Sequence, residues 1–72
     1  MEKELKFKPG QRVTVRDVRN ASAVGYLGTH HTIVDYVAMP NFLKKDRNGE
    51  WLYPCMGDDR FVSWFYEDEI GI

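Results

Sequence analysis

The segment that most constrains this chain lies at its end, where Arg60-Phe-Val-Ser-Trp-Phe-Tyr66 runs without a break into Glu67-Asp-Glu-Ile70. β-Branched and aromatic residues favour a pleated, half-buried strand. An acidic turn then stops that strand, and one more apolar side chain follows, so the segment needs a sheet to pair with and a core to receive Phe65 and Ile70. The chain has 72 residues, enough for one domain and one core, because a domain of this size buries only about 60% of its unfolded surface. We therefore read residues 1–72 as a single domain. Four Phe, four Tyr and two Trp can fill that core without a metal or a disulfide. Cys55 is the only cysteine, and its place between Pro54 and Met56 in an apolar run predicts an inert, buried thiol.

Residues 1–6 are charged and are expected to be flexible up to Phe7. Pro9-Gly10 reads as a turn, and Gln11-Arg-Val-Thr-Val-Arg16 alternates at period two. Val13 and Val15 thus share one face of a strand, and Arg12, Thr14 and Arg16 the other. Arg19 to Gly25 is small and polar without helical spacing, and is read as a long loop. A second strand is expected over Thr29 to Tyr36, with Gly28 marking a bend. Asn48-Gly49 can supply the positive-φ positions of a tight hairpin, so a third strand should run from Trp51 to Met56. Pro54 removes a donor from it and predicts an edge or bulged strand. Gly57-Asp58-Asp59 then turns the chain back into Phe61 to Tyr66. Short strands punctuated by turns, with no helix longer than a turn, describe an all-β fold: a small antiparallel barrel of about five strands.

The pattern Phe7-x-Pro-Gly10-x-x-Val13-x-Val15, then Gly25-x-x-Gly28, then Trp64-Phe-Tyr-Glu-Asp-Glu-Ile70 resembles small bacterial and phage proteins with SH3-like barrels, including KOW-type modules. The resemblance spans nearly the whole chain at low density. It implies an SH3-like barrel and an origin in a phage or mobile element, and for the KOW modules a link to RNA. His30 stands where KOW modules usually carry an apolar residue. The peptide-binding stretches of signalling SH3 domains have no counterpart near the start, and Tyr66-Glu-Asp-Glu69 stands where the second stretch would be. If their groove is retained, Trp51 and Tyr66 are its nearest equivalents.

The charge is formally -1 but unevenly distributed along the chain. Residues 1–49 carry nine Lys and Arg against five Asp and Glu, and residues 50–72 carry one against six. A sequence pI of about 6.1 argues against a strongly basic nucleic-acid binder. His30, His31 and Cys55 do not make a metal or nucleophile motif, since adjacent strand residues point to opposite faces. Asp58, Asp59, Glu67, Asp68 and Glu69 lack the alternate spacing of a cation loop, although they flank one strand and can form a negative patch. No cofactor, metal or catalytic activity is expected.

Two functional readings follow. Alternate residues of a strand must face outward, so Trp64 and Tyr66, with Trp51 and the loop around Phe42, are expected to form an aromatic surface that contacts a protein partner. The resulting expectation is a non-enzymatic protein-interaction module. The alternative is a weak RNA- or DNA-binding barrel of KOW type using Arg12, Arg16, Lys44 and Lys45 beside Tyr26 or Phe42. No run of about eighteen apolar residues and no signal-peptide pattern occurs, so a cytoplasmic protein without a membrane partner is expected.

Overall fold

The computed structural model describes residues 5–72. Its elements are almost all β, and six strands form one antiparallel sheet: β1 Arg12–Val15, β2 His30–Ile33, β3 Lys44–Lys45, β4 Trp51–Gly57, β5 Val62–Tyr66 and β6 Ile70–Gly71. Three 3-10 helices connect them: η1 Ala21–Tyr26, η2 Pro40–Phe42 and η3 Glu67–Glu69. The strand order is β6-β1-β2-β4-β5, with β3 also paired to β4. Among the described residues the sheet does not close into the expected barrel, because β5 pairs only with β4.

Period-two patterning carries through to the packing. Val13 and Val15 are buried while Arg12 is exposed, and Ile33, Tyr53, Cys55, Phe65 and Ile70 complete the core with Phe7 and Tyr36. Phe7 meets Tyr53 edge to face at 5.3 Å, and the Tyr36 hydroxyl donates to the Phe7 carbonyl at 2.6 Å. The expected flexible start is therefore revised for residues 5 and 6. Leu5 packs against the core and the Lys6 N–H donates to the Tyr53 hydroxyl; residues 1–4 lie outside the described segment.

β4 is central rather than an edge strand. β5 runs along one side of it, from Leu52↔Tyr66 to Met56↔Val62. On the other side β3 pairs with Trp51 and Leu52, and β2 pairs with Cys55 to Gly57. Pro54 falls in the gap between those two partners. Its carbonyl faces that side and accepts from the Val34 N–H at 2.8 Å, so its missing donor costs no ladder bond.

Other boundaries shift for physical reasons. β2 ends at Ile33 rather than Tyr36, since Asp35 Oδ1 accepts from the N–H groups of Val37 and Ala38 and turns the chain. The β3–β4 connection is longer than a two-residue turn: Asp46 Oδ1 accepts from Asn48 and Glu50, and only Gly49 takes a positive φ, 81°. The expected loop after Arg19 contains η1, whose first turn is capped by Asn20 Oδ1 on the Ser22 N–H. Gly28, with φ of 80°, makes the expected bend and donates its N–H to the Val15 carbonyl.

Phe65 sits where β4, β5 and η1 converge, 3% exposed, with the Tyr26 ring edge-on at 5.5 Å. Phe65→Ala should cost about 3–5 kcal/mol. In a domain of this size about 1 kcal/mol moves the melting temperature by about 4–8 °C. A thermal melt lowered by a degree or two would remove Phe65 from the core.

Candidate functional site

The expected aromatic residues do not all share one face. On β4, Trp51 alternates with Tyr53 and Cys55, so it belongs to the core side and packs partly against the core. Trp64 and Tyr66 lie on the opposite, outer side of β5, one pair either side of the buried Phe65. All three are half-buried. Phe42 covers Trp64: their rings meet at 6.4 Å, and Trp64 Nε1 donates to the Phe42 carbonyl at 2.6 Å. The sequence alone left open whether that loop reaches Trp64, and it does.

The basic residues are not gathered into one patch either. Arg12 on β1 bonds Asp58 and Thr32, and Arg16 donates to the Ile72 carbonyl. Lys44 and Lys45 lie over aromatic rings instead, at 4.1 Å from the centroid of Trp64 and 4.4 Å from that of Trp51. The five carboxylates whose spacing allows a negative patch are also separated. Asp58 and Asp59 lie at one end of β5 and Glu67–Glu69 at the other, with Glu69 turned inward and buried.

What the fold does assemble is a cleft of about 150 Å³ lined by Arg19, Glu50, Trp51, Tyr66, Glu67 and Asp68. Three separate connections bring these residues together: the loop after β1, the turn before β4 and η3. Trp51 and Tyr66 reach it from opposite sides of the sheet because both stand at strand ends. The Tyr66 hydroxyl donates to Asp46 Oδ2 at 3.0 Å, which fixes its ring and holds its proton on more firmly than usual. The Arg19 guanidinium lies on that ring, 3.8 Å from its centroid. It also donates to Glu50 Oε2 at 2.6 Å and to both Asp68 oxygens, at 3.2 and 2.9 Å. The hydrogen bonds to Glu50 and then Asp68 raise the Arg19 pKa above its ordinary value. Arg19 and Glu50 were not singled out from sequence. Glu50 and Asp68 lie 31 and 49 residues from Arg19, so no local motif marks them.

A second cleft, about 460 Å³, opens beside Tyr26, His31, Gly57 and Asp59. His31 Nε2 lies 2.8 Å from Thr29 Oγ1. That hydroxyl spends its proton on the Tyr26 carbonyl, so it accepts from Nε2–H, and Nδ1 is left as a buried acceptor without a partner among the described residues. Among the described residues, no group of three or more His, Cys, Asp and Glu could hold a metal ion. Cys55 is fully buried, with its thiol hydrogen directed to the Tyr53 carbonyl. A scan against protein-family models and a search of curated proteins found no match to this chain.

Two predictions follow from these titrating groups. Burial, only partly offset by Asp59, holds the His31 imidazole below its ordinary 6.5. The folded state therefore binds fewer protons at this position than the unfolded chain does, so this contribution is complete above pH 6.5 and lost as pH falls through the lower folded value. Urea midpoints measured from pH 7.5 down to 5 should fall, and should fall less for His31→Gln; equal slopes would discount His31. Burial likewise pushes the Cys55 thiol up to about 12. At pH 8 a thiol reagent should label it only in denaturant, and fast labelling of native protein would contradict its burial.

Proposed function

We propose that this protein is a small, non-enzymatic SH3-like module that binds an extended segment of a protein partner in the cleft lined by Trp51 and Tyr66. The SH3-like reading is supported by the strand order β6-β1-β2-β4-β5 and by the 3-10 turn between β5 and β6. One observation carries the functional reading: two half-buried aromatic side chains, Trp51 and Tyr66, line one cleft together with residues from three different connections. Large, stiff aromatic surfaces lose little entropy on docking and are frequent anchors of protein contacts. The lining also includes Glu50, Glu67 and Asp68, which favours a cationic segment.

The nucleic-acid alternative draws less support. Arg12 and Arg16 are engaged within the protein, and the ammonium groups of Lys44 and Lys45 lie over tryptophan rings. These cations do not form a continuous track for a phosphate backbone.

A peptide selected from a display library against the full chain tests the reading. Trp51→Ala should then lose more than about 2 kcal/mol of binding, as expected of a central anchor, with a melting curve recorded in parallel because Trp51 also touches the core. Trp64→Ala should lose less, since Phe42 already covers that ring. Selected peptides indifferent to Trp51, or single-stranded oligonucleotides bound with an affinity that falls steeply with salt, would reverse the order of the two readings.

A further inference from the structure

The cleft already holds a ligand group, and that group belongs to the chain itself. Arg19 lies flat on Tyr66 while its nitrogens reach carboxylates from two other connections, Glu50 before β4 and Asp68 in η3. Planar stacking combined with forked hydrogen bonding is a recognition mode that guanidinium meets and ammonium does not. The slot is therefore shaped for an arginine side chain. We propose that Tyr66, Glu50 and Asp68 form a guanidinium-binding site that takes an arginine from the partner segment, and that Arg19 occupies this site in cis until the partner displaces it. This inference rests on the docking cleft proposed above and supplies the chemistry of its occupant.

Several features make Arg19 a removable occupant rather than a structural tie. The ion-pair partners remain open to water, with side-chain exposures of 41% for Arg19, 45% for Glu50 and 65% for Asp68, so a competing cation can reach the slot from solvent. The main chain of Arg19 is anchored independently, its N–H donating to the buried Glu69 carboxylate at 2.9 Å. The side chain can thus swing away while the loop stays in place. Trp51 adjoins the slot, and its ring, which lies under the Lys45 ammonium at 4.4 Å from the centroid, becomes apolar contact area once that flexible side chain moves aside. A partner bringing an arginine flanked by apolar residues gains that contact in addition, which is what displacing an intramolecular competitor requires.

Occupation in cis lowers the apparent affinity for a competing arginine by the fraction of time the slot stands open. The test uses the full chain, its Arg19→Ala and Arg19→Lys variants, and two blocked peptides, acetyl-Leu-Arg-Leu-amide and acetyl-Leu-Lys-Leu-amide. Binding is followed through the Trp51 indole resonance in nitrogen-15 NMR spectra. Arg19→Ala should bind the arginine peptide about tenfold more tightly than the unaltered chain, or about 1.4 kcal/mol. Arg19→Lys, which keeps the charge but not the fork, should show a smaller gain, and the lysine peptide should bind more weakly throughout. Equal affinity for the arginine peptide in all three proteins overturns the displacement by Arg19, as does loss of fold in both variants, which would make Arg19 a structural tie. Absence of arginine-peptide binding in every protein overturns the slot itself. If library-selected peptides still bind in a Trp51-dependent way, the docking cleft survives that failure; if they do not, both readings fall together.

Discussion

One buried carboxylate, Glu69, ties together three parts of the fold. Among the described residues no strand pairs with the outer edge of β5, and Glu69 links the end of β5 to the loop after β1. One of its side-chain oxygens accepts from the Tyr66 N–H at 2.7 Å and the other from the Arg19 N–H at 2.9 Å. Its main-chain carbonyl accepts from Arg16 and Asp17, at 2.8 and 3.2 Å. Hydrogen bonds to a charged group contribute about 1.5–3 kcal/mol each, and a buried carboxylate without them would be strongly unfavourable. The end of β5, the exit of β1 and the start of the long loop thus meet at one residue.

That junction also builds the cleft. With the Arg19 main chain pinned beside η3, its side chain arrives over Tyr66 and between Glu50 and Asp68. Asp46 orients Tyr66 from below while its other oxygen shapes the turn that presents Glu50. The cleft and the loops that border it therefore depend on one connected set of carboxylates, Asp46, Glu50, Asp68 and Glu69.

Cations stack on aromatic rings at three places around β4 and β5: Arg19 on Tyr66 and Lys44 on Trp64 on the outer side, and Lys45 on Trp51 on the core side. The cationic groups themselves lie over the ring faces, and their attraction to the π-systems offsets part of the cost of leaving those rings near water. The aromatic surplus that a small sheet cannot bury is accommodated in this way. It also explains why residues assigned from sequence to two competing surfaces, one aromatic and one basic, come to lie against each other.

The sequence by itself determined those features whose cause lies within a few residues. Period-two alternation placed Val13 and Val15 inside and Arg12 outside, and the same rule separated Phe65 from Trp64 and Tyr66. Gly28 and Gly49 marked places where the backbone takes a positive φ. Local pattern did not contain the partners of an edge. Pro54 read as a sign of an edge or a bulge because nothing nearby shows that β2 and β3 divide the side of β4 between them and leave a gap at that position. The η1 helix lacks apolar periodicity, and it is ordered by Asn20 and by Tyr26 resting on a phenylalanine 39 positions later in the chain. Whether the sheet closes, which aromatic rings are covered and which carboxylates surround Arg19 were decided by tertiary structure alone. Each depends on contacts between residues tens of positions apart, and such contacts leave no periodic trace in the order of the amino acids.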